Sequence, residues 1–146
     1  MIQGLKTVLL KDLATLRREV ELYPDEASLW RPLPGVANPG GNLVLHMAGN
    51  LQFFFGGHLA HSGYVRDRDW EFGARDLPRK RILQEIDAAA KAVGDGLAAL
   101  TPAGLDQEFP EAMNGERMPT GLVLLRLCSH LAYHLGQLNY HRRLIG

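Results

Sequence analysis

The chain has 146 residues, 46% of them hydrophobic, with 16 acidic and 16 basic side chains in balance. That length and composition suit one globular domain with a real core and exclude a disordered or low-complexity chain. The neutral balance gives no electrostatic footprint for nucleic acid or an anionic membrane, and the one cysteine, Cys128, cannot close an internal disulfide, which fits a reducing, cytoplasmic setting.

The opening "MIQGLKTVLLKDLATL" does not read as a signal peptide, because Lys6 and Lys11 break the apolar run and no cleavage signal follows. Ile2, Leu5, Leu9, Leu13, Leu16 and Val20 recur at helical spacing, which predicts a first helix from about Ile2 to Leu22. Pro24 ends it. "PDEASLWRPLPGVANPGG" then reads as a loop, since its prolines and glycines cannot hold a helix.

A second helix is expected to start near Asn42 as N-cap and to continue through "LVLHMAGNLQFFFGGHLA", with Gly56 and Gly57 weakening its end. Leu43, His46, Met47, Asn50, Phe53 and Phe54 share one broad face. From Pro32 to Val65 there is no Asp, Glu, Lys or Arg. The histidines, Asn42, Asn50, Gln52 and several Gly and Pro in that run argue against a membrane span and for a buried helix beside an internal polar site.

"HSGYVRDRDWEFGARDL" reads as a long connection, whose Asp67, Asp69 and Glu71 could approach the mouth of the bundle but are expected to be solvated. A third helix is predicted from about Pro78 to Leu100, with Asp76 as cap and Pro78 in the first turn. Ile82, Ile86, Ala89, Val93, Leu97 and Leu100 form its apolar stripe. Thr101-Pro102 closes it, and "AGLDQEFPEAMNGERM" is a second long connection. The fourth helix runs from about Thr120 to Ile145. No segment alternates like a strand. The expectation is an all-α four-helix bundle, one domain over residues 1–146, with the long connections leaving the order of helix directions open.

The last helix holds three of the six histidines. With His130 at zero on a helical wheel, His134 lies near ~40°, His141 near ~20° and Gln137 near ~−20°, beside the stripe of Leu124, Leu131, Leu135 and Leu138. The histidines therefore border the core. His130 and His134, one turn apart, can converge on one metal ion; imidazoles with ordinary hydrogen bonds are the plainer explanation of such a pair. No Glu follows the first of them, so the zinc-protease helix motif is absent. A third ligand must come from elsewhere, and His46, on the uncharged second helix, is the best candidate. Three neutral imidazoles leave a tetrahedral site with an open position, the catalytic pattern.

His141, two turns beyond His134, is too far to share that ion and is expected to pair locally. His58 and His61 follow "FFFGG" near a helix C-terminus, where imidazole suits the dipole. Cys128 points about 160° from His130 and is expected in the core. Asn50 and Gln137, one turn beyond His46 and His134, are candidates to hydrogen-bond a ligand imidazole or the substrate. Tyr133 and Tyr64 are candidate pocket residues.

On these residues the chain resembles the DinB-like superfamily of small bacterial metalloproteins. "LWRPLPGVANPGGNLVLHMAGNLQFFFGGHLA" is similar to that family's loop and second helix with its first histidine, and "LLRLCSHLAYHLGQLNYHRRLIG" to its last helix, where an H-x-x-x-H pair precedes "GQ". The extra His141 departs from the pattern. The resemblance implies an up-down-down-up four-helix bundle, often a homodimer, holding zinc or nickel on three histidines that map to His46, His130 and His134. It implies a metal-dependent enzyme acting on a small molecule, first of all an S-transferase using a low-molecular-weight bacterial thiol. The alternatives are a metal-dependent hydrolase, a non-catalytic metal-stabilised bundle, and a bundle whose histidines merely pack.

Overall fold

The apolar stripe of the first segment does what its spacing predicts. Leu5, Leu9, Leu13, Leu16 and Val20 are all buried on one side of helix α1 (Ile2–Glu21). The structure, a computed structural model, describes residues 1–146 and is all-helical. After α1 come a 3₁₀ turn (Ala27–Trp30), α2 (Gly40–Leu51), a π-helical turn (Gln52–Leu59), α3 (Arg68–Gly73), α4 (Arg79–Ala98), a second 3₁₀ turn (Pro102–Asp106) and α5 (Thr120–Ile145). No helix is long and apolar enough to cross a membrane.

Every residue of α2 is buried, which explains its lack of charge: a helix enclosed on all sides has no solvated face for ionised groups. Its neighbours are α4 and α5, and the same two helices flank α1. Leu9, Val44, Ile86, Val93, Leu127 and Leu138, from these four helices, belong to one continuous apolar core. The ends of the helices are tied by polar contacts. Arg142 Nε donates to Glu19 Oε2 at 2.5 Å, joining the last turns of α5 and α1. Arg79 Nη2 donates to the Tyr23 carbonyl at 2.8 Å, fixing the start of α4 beside the end of α1. The start of α2 at Gly40 abuts Leu138 and His141 near the end of α5.

Four local features differ from the sequence expectation. Asn42 is not the N-cap of α2, a place taken by Pro39. It lies fully buried in the first turn, where its Nδ2 donates to the carbonyls of Glu71 at 3.0 Å and Ala74 at 2.9 Å and its Oδ1 accepts from Arg75 Nη1 at 2.8 Å. The carbonyls that end a helix need such donors when they are covered. Asp76 caps nothing: it sits at φ 58°, and Pro78 holds the N-cap position of α4. The end of the second helical segment is not frayed but widened. Its π-helical turn buries Phe54 and Phe55 while Phe53 stays half-buried; a wider turn lets neighbouring aromatics share one apolar surface. The fourth difference is α3, a fifth helix inside a stretch expected to be plain connection. Asp67 Oδ1 caps it by accepting from the Trp70 N–H at 3.0 Å.

The connection between α4 and α5 is also ordered. Asn114 and Gly115 have φ 52° and 77°, and Met113 and Glu116 exchange backbone hydrogen bonds around them, a tight hairpin turn of the kind that Asn-Gly favours. Phe109, fully buried and bonded to the Met118 carbonyl, roots this hairpin in the core. Its tip lies beside the histidines of α2 and α5.

Candidate metal centre

His46 projects from α2 toward α5, where His130 and His134 project back from successive turns. His130 Nε2 lies 3.1 Å from His46 Nε2 and 3.1 Å from His134 Nε2. One ligand nitrogen from each of the three rings falls within 4.8 Å of the others, a grouping able to hold a metal ion. The three residues singled out from the sequence are therefore brought together.

The outer face of each flanking ring fixes its tautomer. Glu71 Oε1 stands 3.1 Å from His46 Nδ1, and Glu71 is only 1% exposed. Burial would raise the Glu71 carboxyl, but hydrogen bonds from His46 and Arg66 outweigh it and hold the group below the usual carboxylate range. Arg66 grips it from the side with Nε at 2.9 Å and Nη2 at 3.0 Å, the two-pronged geometry that suits guanidinium and carboxylate. Arg66 Nη2 also lies 3.3 Å from His46 Nδ1 but is closer to Glu71 Oε1; the ionised carboxylate, nearer to that nitrogen, can only accept, so it draws the ring's proton to Nδ1 and leaves His46 Nε2 presenting a lone pair. On the other side Gln137 Oε1 accepts from His134 Nδ1 at 2.7 Å, which leaves His134 Nε2 as a second lone pair.

Both lone pairs face His130 Nε2. A proton on that nitrogen could satisfy one neighbour and not both, so at least one of the two 3.1 Å contacts leaves a lone pair without a donor. A shared proton would relieve this only if a ring charged, and the surroundings oppose it. Burial first, then His134, His46, Arg66 and Arg68, push His130 down to about 4, and burial lowers His134 as well. Converging nitrogens with more lone pairs than donors suit a cation that is not a proton. Ligand nitrogens around a tetrahedral zinc sit roughly 3.3 Å apart, close to the two 3.1 Å spacings at His130. The donor set fits a divalent ion of the zinc or nickel kind.

Gly49 makes room for this arrangement. A Cβ there would fall inside the Glu71 carboxylate, so only glycine lets α3 lay that side chain against α2. Phe72, also from α3, stacks on the His46 ring with centroids 4.7 Å apart.

A cleft of about 350 Å³ opens beside the cluster, lined by His46, His130, Asn50, Arg66 and Arg68 and closed at the rim by Asn114 of the hairpin. Asn50 is 7% exposed and its Oδ1 has no hydrogen-bond partner. It faces the cleft rather than a ligand imidazole. Tyr133 does not line the cleft: it is 65% exposed, with its ring edge against His134. Tyr64 lines a separate surface hollow near Gln52 and Ala92. Asp69 and His61 are exposed. His58 packs among Phe53, Phe54 and Phe109, with its Nε2 3.0 Å from Glu111 Oε2 in off-axis ion-pair geometry. Cys128 is half-buried against the core, where burial pushes its thiol up.

His141 does not pair locally. Its Nε2 donates to the Arg31 carbonyl at 2.9 Å, and its Nδ1 accepts from Tyr23 Oη at 2.7 Å. It ties α5 to the end of α1 and to the loop before α2.

Sequence reasoning missed Glu71 and Arg66, because a charged connection usually means solvated charges. Two signals pointed to them. One is Gly49, a glycine in the interior of a buried helix. The other is the Asp67 cap pattern, which turns the following residues into a helix with an inward face. The Asn114-Gly115 dipeptide likewise announced the hairpin at the cleft.

The comparisons with known proteins agree with this geometry at the level of family. No curated protein and no solved structure matches the chain. The model of the DinB superfamily matches residues 9–138, which takes in α2, α3, α4 and all three clustered histidines. The chain belongs to the DinB superfamily.

Proposed function

We propose that the protein is a divalent-metal-dependent enzyme with His46, His130 and His134 as ligands, and that its reaction is transfer of a low-molecular-weight thiol to an electrophilic small molecule. One observation carries the reading: three imidazoles converge with more lone pairs than donors to meet them. A bound zinc or nickel ion would supply Lewis acidity, lowering the pKa of a thiol or a water beside it.

The chain's own residues have distinct tasks. Glu71 and Gln137 hold the Nδ1 protons of His46 and His134 and so aim both Nε2 atoms inward. Arg66 keeps Glu71 ionised and fixed. Phe53, Phe54 and Met113 give the cleft an apolar wall that excludes water from one side. The cluster offers three side chains and no fourth, with Asp69 and His61 exposed and Glu71 bonded to the far side of His46, so an ion held there would have room for a reactant. Hydrolysis is the alternative reaction, with water in place of the thiol. A non-catalytic, metal-stabilised bundle is the alternative role.

The same reading takes the four long helices as an up-down-down-up bundle, supported by the end contacts of α1 with α5 and α4. It takes the protein as a homodimer, supported by the exposed Leu122, Leu125, Tyr140 and Leu144 along α5.

The test is metal content, by elemental mass spectrometry on tag-free protein. About one ion per chain is expected, lost in both His46→Ala and His130→Ala while the helical signal persists. A wild type that takes up neither zinc nor nickel would sink the reading.

A further inference from the structure

Two guanidiniums and two carboxylates stand at or beside the cleft, and only Arg66 with Glu71 closes into a pair of unlike charges. Glu111 on the rim lies 3.0 Å from a histidine nitrogen, His58 Nε2. Arg68 has no acidic partner. It lines the cleft with its guanidinium 5.5 Å from the centre of the Phe72 ring, which packs in turn on His46. A cation resting on an aromatic face keeps its hydrogen-bonding edge free.

One turn beyond His46, Asn50 is more than nine-tenths buried, and its Oδ1 meets no donor. A buried polar atom without a partner is costly, and persists in a cleft when a ligand supplies what is missing. If the amide is turned over, an N–H is the orphan; either way one polar atom faces the cleft unanswered. Asn50 and Arg68 thus offer two different complements on walls formed by α2 and α3.

From this pairing we infer that the cleft binds a carboxylate-bearing small molecule: Arg68 takes the carboxylate, Asn50 takes an amide or hydroxyl group of the same molecule, and its reactive atom lies against His46 and His130, the two clustered imidazoles that line the cleft. The inference rests on the function proposed above and narrows it from small molecules in general to anionic ones. Arg68 is a binding residue here and not a metal-supporting one, since it makes no hydrogen bond to any of the three histidines or to Glu71. A planar, two-pronged contact between guanidinium and carboxylate discriminates strongly against an uncharged group of the same shape.

The experiment is calorimetric titration with N-acetylcysteine and with its uncharged carboxamide, on zinc-treated and on metal-free protein, with metal content measured on each sample. Wild type is expected to bind the acid about tenfold more tightly than the amide. Arg68→Gln should erase that preference with zinc content unchanged, and Arg68→Lys should keep part of it. Asn50→Ala should weaken acid and amide by the same factor. Arg68 is exposed, so its variants keep the fold. Equal affinity for the two probes in wild type overturns the inference. So does a preference that survives Arg68→Gln and vanishes with the metal, which would place the carboxylate on the ion. If no metal binds at all, the proposed catalysis fails, while an acid preference lost in Arg68→Gln still establishes the subsite.

Discussion

His130 and His141 stand about three turns apart on α5, both with their rings turned inward, and their surroundings treat them in opposite ways. His141 has one acceptor for its proton, the Arg31 carbonyl, and one donor for its lone pair, the Tyr23 hydroxyl. Its hydrogen-bonding capacity is met by the chain alone. His130 faces two other imidazole nitrogens at 3.1 Å and no donor for either. A buried imidazole that is fully paired holds a fold together. A group of imidazoles that cannot all be paired implies something the chain does not contain. Counting donors against acceptors separates the two cases where burial and helix face do not.

The largest break in the comparison should come from truncating each histidine in metal-free protein. His141→Ala is expected to cost about 2–4 kcal/mol in urea unfolding, from the cavity and from the Tyr23 hydroxyl and Arg31 carbonyl left without their partner. His130→Leu should cost about 1 kcal/mol or less, because it removes a contact that leaves a lone pair without a donor and fills the space with an apolar group. Equal costs would remove the distinction drawn here. Metal uptake should show the reverse order, intact in His141→Ala and lost in His130→Leu.

A smaller effect is expected from Glu71→Gln. The amide keeps the shape of the side chain but takes away the ionised acceptor that fixes His46, and leaves Arg66 without its counter-charge. Metal affinity should fall about 10- to 100-fold. Competition with a chelator of known affinity reads this directly. An unchanged affinity would mean that His46 is aimed by packing on Phe72 alone.

The smallest effect is a slope. Burial lowers His141 from its ordinary value near 6.5. The unfolded chain therefore takes up this proton at higher pH than the folded one. The contribution is fully present at neutral pH and declines as pH falls below about 6.5 through the folded value. In metal-free protein the urea midpoint of wild type should drop across that window more steeply than that of His141→Gln. Parallel curves would assign the acid sensitivity elsewhere, for instance to Glu19, which Arg142 and Asn139 hold below the usual carboxylate range against the opposing effect of burial.

The four long helices, their apolar stripes and the three candidate ligands were legible in the sequence, because each depends on spacing along one segment. A period of 3.6 puts Leu5, Leu9 and Leu13 on one side of α1, and a separation of four puts His130 and His134 on one face of α5, whatever else the chain does. The absence of charge in α2 likewise announced its burial. What only the tertiary structure decided was partnership across segments: Glu71 under His46, Asn42 bridging to the end of α3, Tyr23 behind His141, and Arg68 free at the cleft. These contacts join residues between 25 and 118 positions apart. No local period carries such a pairing, because it is fixed by the way the helices pack and by which buried donor each buried acceptor must find.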